Sequence, residues 1–314
     1  MRYRRFEPLG RELSVLALGT AYLADDGEAA SFELLDAWVE LGGNLVDCAR
    51  QYGDGESERI LGRWLESRAA RDGVVLVTKG AHHATDGSHH EPSRKRVAPE
   101  HIAADLAESL EALRTDAIDL YFLHRDDLSR PVGPIVEALN EHAAAGRIET
   151  LGASNWTTDR IEEANAYAAS RGLRGFEASS PGLSLAEPRG EPWPETVFAR
   201  SAEARAWYRR AQLAVFAWSS QAGGFFAGRR DALVKRVYVD DRNLERLRRA
   251  EELGRRKGFS ANEVALAWVL HQPFPTYAII GPRSVPELHE SVAGLDVELT
   301  VDEVRWLNLD EEDV

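Results

Sequence analysis

The feature that most constrains the fold is a regular alternation between short apolar runs and longer amphipathic segments. Eight runs rich in Val, Ile and Leu are typical of strands, at 14–19, 44–48, 74–79, 118–124, 148–154, 175–179, 213–218 and 276–281. Helical patterns separate most of them, at 28–42, 57–70, 99–114, 131–146, 157–172 and 261–272. Parallel strands joined by helices form right-handed crossovers, and eight such units close into a barrel. We therefore predict an α/β fold of the (β/α)₈ TIM-barrel class.

The segments outside this alternation refine the prediction. Residues 1–15 are typical of a β-hairpin around Pro8-Leu9-Gly10, which we expect to cap the bottom of the barrel. Residues 219–241 follow the seventh strand as a long loop, and loops of this length are usually functional. An open doubly wound sheet is the alternative, but no G-x-G-x-x-G follows the first strand. With no low-complexity linker, residues 1–314 are interpreted as a single domain.

Composition limits the partners and the location. The 314 residues carry a net charge of −14, and such a surface repels phosphate backbones and anionic lipid. We therefore expect no nucleic-acid and no membrane partner, and the sequence carries no signal for an oligomeric state. Cys48 is the only cysteine, so no intrachain disulfide forms. The first residues lack an apolar signal-peptide core and no run of about 18 apolar residues occurs, which predicts a cytoplasmic protein.

Polar side chains stand where consecutive predicted strands end. Asp47 ends the second strand, with Tyr52 in the following loop; Lys79 ends the third and His124 the fourth. In a barrel of this kind the active site is built from the C-terminal strand ends. A tyrosine side chain has a pKa of about 10, and a neighbouring ammonium lowers that pKa. Lys79 could supply that ammonium, paired with Asp47, while His124 positions a carbonyl oxygen.

Each of these residues also has an ordinary interpretation when taken alone. A lysine at a strand end is commonly a solvated charge, Asp47 could cap a turn, and His124 could be a histidine of the barrel rim. Their occurrence together favours a site that protonates a developing alkoxide. The hydride of such a carbonyl reduction must come from a cofactor, because no side chain supplies one.

The motifs around these residues resemble those of the aldo-keto reductase family. They are D-x-A-x-x-Y at 47–52, G-x-G-x-S-E at 53–58, and the segments "LGT" at 18–20, "VTKG" at 77–80, "YFLHRDD" at 121–127, "GRIETLGASNW" at 146–156 and "IIGPRSVPEL" at 279–288. The resemblance implies a (β/α)₈ barrel that reduces aldehydes or ketones with NAD(P)H. It further implies that Tyr52 is the general acid, Lys79 tunes it, Asp47 pairs with Lys79, and His124 orients a small-molecule carbonyl substrate.

The resemblance also implies a set of cofactor-binding residues. Ser154 and Asn155 resemble the pair that holds the nicotinamide amide, the segment 217–228 resembles the one around the pyrophosphate, and "GPRS" at 281–284 resembles the adenosine end. The full set is Gly19, Thr20, Asp47, Ser154, Asn155, Ser180, Trp218, Ser219, Ser220, Gln221, Gly281, Arg283, Ser284, Glu287 and Ser291. Arg283 and Ser284 could hold a 2′-phosphate, which favours NADP(H), with NAD(H) as the alternative.

Three of these positions depart from the family pattern. Ser180 stands where many members have a glutamine, Trp218 where a tyrosine usually stacks on the nicotinamide, and Ser291 where an asparagine often meets the adenine. An indole still offers a flat face for stacking. None of the departures removes a catalytic group.

The substrate pocket is expected to be apolar on one side. Tyr22 and Trp156, with Tyr52 and His124, are predicted to line it, and Phe225 and Phe226 are further candidates. We interpret Trp193, Trp207 and Tyr208 as packing residues rather than substrate contacts.

A histidine-rich segment and the departures from the family pattern leave two alternative functions open. Residues 80–96 contain His82, His83, His89 and His90; we interpret the segment as a solvated loop and predict no metal site. Because it follows the third strand at the mouth of the barrel, contact with the substrate is the alternative. A metal-dependent hydrolase using these histidines is one alternative function. A cofactor-binding regulatory module resembling the potassium-channel β subunits is another, and the departures at Ser180 and Trp218 motivate it.

Overall fold

The computed structural model describes residues 1–25, 27–83, 85–86 and 89–310, and of residues 85, 86, 89 and 90 the backbone alone. The strands of this part of the chain are β1 (Tyr3–Phe6), β2 (Arg11–Ser14), β3 (Leu16–Gly19), β4 (Leu45–Asp47), β5 (Val75–Gly80), β6 (Thr85–Asp86), β7 (His89–His90), β8 (Ile118–Leu123), β9 (Ile148–Ser154), β10 (Ala178–Ser180), β11 (Ala214–Ala217) and β12 (Thr276–Ile280).

Eight of these strands form a closed parallel barrel in the order β3, β4, β5, β8, β9, β10, β11, β12 and back to β3. The predicted (β/α)₈ class is therefore confirmed. Each predicted strand has a counterpart, but the sixth is displaced, because 175–179 was expected and the strand starts at Ala178. In the segment before it, Asn165 satisfies the backbone of Phe176, so side-chain hydrogen bonds replace ladder pairing there.

The helices surround the barrel. They are α1 (Glu28–Glu40), α2 (Glu56–Arg68), α3 (Pro99–Leu113), α4 (Val132–Ala144), α5 (Thr158–Arg171), α6 (Ala202–Ala211), α7 (Ala232–Tyr238), α8 (Asp241–Lys257), α9 (Ala261–Leu270), α10 (Val285–Ala293) and α11 (Val301–Asn308). None of the helices in the described ranges is both long and apolar enough to cross a bilayer.

The N-terminal hairpin has the predicted form. β1 and β2 pair antiparallel, from Tyr3 opposite Ser14 to Phe6 opposite Arg11. Phe6 and Leu13 are buried with the side chains that fill the barrel interior. Phe6 meets the rings of Phe216 and Tyr277 edge-on, at centroid distances of 5.8 and 6.1 Å. The hairpin thus closes the end of the barrel at which the strands begin.

The alternation of side chains along the strands decides which of them enter the barrel. Leu45, Val75, Val77, Leu120 and Phe122 belong to the interior cluster. Their neighbours along the strands pack outward against the helices. Because the direction of side chains alternates along a strand, the residues two positions after these, at the C-terminal ends of the strands, also face the interior.

The long loop predicted at 219–241 is partly helical, which corrects that prediction. It contains a short 3₁₀ turn at Ala222–Gly224 and the helix α7, whose N-cap Asp231 accepts a hydrogen bond from the backbone N–H of Val234 at 2.9 Å. The side-chain cap satisfies one of the free N–H groups of the first turn, which stabilises so short a helix.

Candidate active site

Three of the four predicted catalytic residues occupy inward positions at the C-terminal end of the barrel. Asp47 follows Leu45, Lys79 follows Val77, and His124 follows Phe122, each two residues further along its strand direction. Since β4, β5 and β8 are neighbours in the barrel, these side chains converge on one point. All three are at least nine-tenths buried.

The Lys79 side chain is the centre of this group. Its Nζ donates hydrogen bonds to Asp47 Oδ2 at 2.7 Å, to the carbonyl oxygen of Cys48 at 2.8 Å and to the hydroxyl of Tyr52 at 3.3 Å. An ammonium with three acceptors, one of them a carboxylate, keeps its charge although it is buried. The geometry therefore brings Asp47, Tyr52 and Lys79 together as predicted from the sequence.

A tight turn delivers Tyr52 to this point. Tyr52 begins a short 3₁₀ segment, Tyr52–Gly55, in which Gly53, Asp54 and Gly55 all have positive φ angles. Left-handed backbone is inexpensive for glycine and is also tolerated by aspartate, which explains why this Gly-Asp-Gly sequence follows the tyrosine. The helix α2 then starts at once and anchors the turn.

The electrostatics differ from the sequence-based expectation in one respect. Burial raises the pKa of Tyr52, and the charge of Lys79 offsets this only in part. The expected lowering of the pKa by Lys79 is present but smaller than the effect of burial. Burial alone would lower the pKa of Lys79, but the charge of Asp47 and the hydrogen bonds to Asp47 and Tyr52 outweigh it and hold that pKa above its usual value. Tyr52 is thus a protonated phenol beside a permanent ammonium.

His124 lies beside Tyr52 as a neutral imidazole. The two rings meet edge-on, with their centroids 6.0 Å apart. Burial, with the nearby His82 and Arg125, lowers the pKa of His124 well below its usual value. Its Nδ1 is buried without a hydrogen-bond partner in the described part of the chain. A neutral imidazole can hydrogen-bond a substrate oxygen without competing for the proton of Tyr52.

The histidine-rich segment is not a solvated loop at its start, which corrects that interpretation. His82 and His83 are buried, and the His82 ring lies 4.8 Å from that of His124. The Nε2 atom of His83 is 2.6 Å from Glu195 Oε2, and Lys95 also pairs with Glu195. The sequence did not indicate this burial because Glu195 is more than a hundred residues away along the chain. The side chains of His89 and His90 lie outside the described residues, and among those described no cluster that could hold a metal occurs.

A cavity of about 620 Å³ opens at this end of the barrel. Many of the residues predicted for the site line it: Gly19, Tyr22, Asp47, Tyr52, Lys79, His124, Ser154, Asn155, Trp218, Ser219, Ser220, Gln221, Gly281, Glu287 and Ser291. The cavity is large enough for a dinucleotide portion together with a small substrate.

Four residues predicted to bind a cofactor do not line this cavity. Thr20 is buried against the Asp47 carbonyl oxygen, and the Ser180 hydroxyl donates to the Phe216 carbonyl oxygen at 2.8 Å. Ser284 is the N-cap of α10. Arg283 lies outside the rim, with its guanidinium 4.0 Å above the Tyr22 ring, a cation–π contact.

Three of the aromatic residues predicted to line the substrate pocket lie elsewhere, which corrects that prediction. Trp156 is buried between the barrel and the helices, where it packs on Phe176 and donates from Nε1 to the Arg125 carbonyl oxygen at 3.1 Å. Phe225 and Phe226 are also buried in that outer core. The wall is formed instead by Trp218 and Trp193, whose ring centroids are 6.1 Å apart. Trp193 was expected to be a packing residue, whereas Trp207 and Tyr208 do pack in the core.

Comparison with known proteins decides the family. The model of the aldo/keto reductase family matches residues 15–308, nearly the whole chain. The chain belongs to the aldo/keto reductase family.

Several relatives of this aldo/keto reductase have reductase names. An oxidoreductase of Bacillus subtilis, YrpG, is 30% identical, with 98% of this chain and 95% of the relative covered. The norsolorinic acid reductase stcV of Emericella nidulans is 29% identical over 96% of this chain and 79% of its own length. The aldo-keto reductase ausK of the same organism is 28% identical over 96% and 78%. The protein is accordingly an oxidoreductase of small molecules.

Aldo/keto reductases generally use nicotinamide cofactors, and the cavity offers groups that fit one. Asp47 Oδ1 and Trp218 Nε1 are buried without hydrogen-bond partners in the described ranges. Buried polar atoms of this kind are usually satisfied by a ligand or a water molecule. Trp218 is also braced by Phe198, at a ring-centroid distance of 4.7 Å, so its indole is a fixed face at the cavity wall. The residues present therefore fit a nicotinamide dinucleotide.

Two cationic residues of the cavity wall were not predicted from the sequence. Arg125 follows His124 directly, and Arg229 lies at the other side, paired with Glu287 at 2.7 Å. Arg125 stands in the quoted motif "YFLHRDD", so its position beside His124 was the available signal. Arg229 lies in the segment expected to be a loop, where no periodic pattern indicates which side chains face inward.

Proposed function

We propose that this aldo/keto reductase reduces an aldehyde or ketone to the alcohol with NADPH, and that Tyr52 donates the proton. The observation that carries the proposal is the position of Lys79 Nζ, 2.7 Å from Asp47 and 3.3 Å from the Tyr52 hydroxyl, inside the cavity. A bound reduced nicotinamide would supply the hydride. Tyr52 remains protonated through the neutral range because burial raises its pKa, so it can donate a proton to the developing alkoxide.

The neighbouring residues support this proton transfer. The Lys79 ammonium favours the phenolate that Tyr52 leaves behind, and Asp47 keeps that ammonium charged and fixed. Neutral His124 would hold the carbonyl oxygen within reach of the Tyr52 hydroxyl. Trp218 and Trp193 would exclude water from one side of the reacting carbon.

The preference for NADPH over NADH rests on cations near the rim. Arg283 and Ser284 stand at the start of α10, and Arg229 lies in the adjoining wall. A guanidinium recognises a phosphate through paired hydrogen bonds. Arg283→Ala should raise the KM for NADPH by on the order of tenfold and leave that for NADH nearly unchanged. Equal effects on both cofactors would contradict a 2′-phosphate role for Arg283.

The proposed role of Tyr52 is tested by Tyr52→Phe with a panel of aldehydes and NADPH. Because the variant lacks the proton donor, kcat/KM should fall by on the order of 10²- to 10⁴-fold. NADPH binding, followed by fluorescence, should be retained. Tyr167→Phe is the matched control, since that hydroxyl meets Glu137 on the outside of the barrel. Equal rates in Tyr52→Phe and the wild type would overturn the assignment; tight NADPH retention without turnover in either would favour a regulatory role.

A further inference from the structure

Arg125 is a buried arginine that the proton-transfer arrangement does not use. It is only 5% exposed, yet it lines the cavity next to His124. Tyr52 lines the same cavity. A permanent cation at this place must influence which substrates enter.

The guanidinium is held by carbonyl oxygens rather than by a carboxylate. Its Nε donates to the Pro194 carbonyl oxygen at 3.2 Å, and its Nη1 to the His124 carbonyl oxygen at 2.9 Å. Its Nη2 has no hydrogen-bond partner among the described residues. The two contacts use one N–H of Nε and one of Nη1, so the N–H groups of Nη2 remain available to a ligand.

Two other buried arginines of this protein have acidic partners, whereas Arg200 meets the Leu185 carbonyl oxygen and the Trp268 ring and does not line the cavity. Arg160 pairs with Asp126 at 3.1 Å, and Arg246 with Glu187 at 3.1 Å. Within the described ranges no carboxylate lies at ion-pair distance from Arg125. Glu195 acts on Arg125 electrostatically, but His83 and Lys95 already bind it. Burial lowers the pKa of Arg125 to about 10, so the guanidinium is still charged at neutral pH.

A buried charge without a counter-ion is costly, and burial of this kind is typical of sites that bind a charged ligand. We propose that Arg125 binds an oxyanion of the substrate, a carboxylate or a phosphate, and that the protein prefers aldehydes or ketones that carry such a group. This inference rests on the proposed carbonyl reduction. The carbonyl would lie at Tyr52 and His124, and the oxyanion would meet the free side of the guanidinium in paired hydrogen bonds.

The nearby charges agree with this preference. The Lys79 ammonium is neutralised by Asp47, so it contributes little net field toward the substrate. Lys95 and His83 share the single carboxylate of Glu195. Arg125 is therefore the cation in this part of the cavity whose charge is not balanced by a contacting carboxylate of the described chain.

The test compares three para-substituted benzaldehydes with NADPH: 4-carboxybenzaldehyde, 4-formylphenyl phosphate and the neutral methyl 4-formylbenzoate. The wild type should show a higher kcat/KM for at least one of the charged aldehydes than for the ester. In Arg125→Met the ratio of charged to neutral kcat/KM should fall by on the order of 10- to 100-fold, because a charge-assisted hydrogen bond is lost. Arg125→Lys should restore part of the ratio.

Arg130→Met is the matched control. Arg130 lies on the same loop, but it is largely exposed, pairs with Asp127 and does not line the cavity. Its loss removes one positive charge near the rim and should change the ratio by less than about twofold.

The outcomes separate this inference from the proposed function. If the ester is reduced in a Tyr52-dependent way and the ratio is unchanged in Arg125→Met, the role of Arg125 is wrong while the carbonyl reduction stands. If none of the aldehydes is reduced, the proposed function fails first. Should Arg125→Met misfold, inhibition of the wild type by benzoate against benzamide decides the question, and equal inhibition by the two would overturn the inference.

Discussion

At the scale of single residues, Glu58 shows how the core supports the site without touching a substrate. It is buried at the start of α2, and its Oε1 accepts a hydrogen bond from Thr78 at 2.5 Å, one residue before Lys79. Burial raises the pKa of Glu58 from 4.5 to about 7. The folded protein therefore holds a proton on this carboxyl over a pH range in which the unfolded chain has released it.

This shift predicts a pH-dependent contribution to stability. Because the folded pKa lies above the unfolded one, the contribution is fully present below about pH 4.5 and is lost as the pH rises through 7. Glu58→Gln keeps the acceptor for Thr78 but cannot ionise. The free energy of unfolding of Glu58→Gln minus that of the wild type should therefore increase by on the order of 3 kcal/mol between pH 4.5 and pH 8. Urea titrations at both pH values measure this, and a constant difference would contradict it; Glu111→Gln, exposed on α3, is the control.

The residue scale also shows what the sequence predicted of the site. Asp47, Lys79 and His124 were predictable because a period of two along three neighbouring strands leaves them facing inward. Trp156 was not, because it follows β9 in a loop, where no period fixes the direction of a side chain. The burial of His83 depends on Glu195, a contact between distant parts of the chain that no local pattern encodes.

At the scale of elements, the contact between α2 and α3 depends on a glycine. A Cβ atom on Gly62 would lie 2.2 Å from the Ala112 carbonyl oxygen and 2.9 Å from the Leu113 backbone. Backbone atoms in a helix cannot move aside as the end of a flexible side chain can, so the two helices approach closely only because residue 62 has no side chain.

Gly62→Ala should therefore destabilise the protein despite the higher helix propensity of alanine. We expect a loss of about 1–3 kcal/mol in the free energy of unfolding, measured by urea denaturation. The control is Gly73→Ala, since no heavy atom lies within 4 Å of a Cβ at that position. That variant should change stability by less than about 0.5 kcal/mol. Similar values for the two variants would show that the helices can separate without cost.

Elements with a strong apolar period were predictable, and some of the shorter ones were not. α6 was not predicted, because its segment alternates alanine with charged residues, although its N-cap Ser201 was a usable signal. α7 was not predicted either, because it is seven residues long and too short to show a clear period. α6 follows β10, and α7 follows β11 in the longest connection between two barrel strands.

At the scale of the whole molecule, the two ends of the barrel are separated in role. The hairpin closes one end with Phe6, which is 3% exposed, and the candidate site occupies the other. Phe6→Ala should remove about 3–5 kcal/mol from the free energy of unfolding, because it leaves a cavity under Phe216 and Tyr277.

The same variant should keep kcat/KM per folded molecule within about twofold of the wild type at temperatures where both are folded. Thermal and urea unfolding measure the first effect and steady-state kinetics the second. Leu128→Ala, at a residue that is 76% exposed, is the control for stability. A large loss of activity in Phe6→Ala without unfolding would show that the two ends of the barrel are coupled.

The overall architecture was the most predictable level, because eight apolar runs separated by amphipathic helices leave few ways to bury all of them. The order of the strands around the barrel has one more consequence. One half of the barrel consists of β3, β4, β5 and β8, and Asp47, Lys79 and His124 lie at the ends of its strands. The other half consists of β9 to β12, and residues at the ends of these strands are proposed to bind the dinucleotide. The chain passes from the first half to the second at Gly146 and Arg147, between α4 and β9. A chimera joined at this point to the second half of another family member should take the cofactor preference of that member. It would retain all the residues proposed for proton transfer, because they lie in the first half.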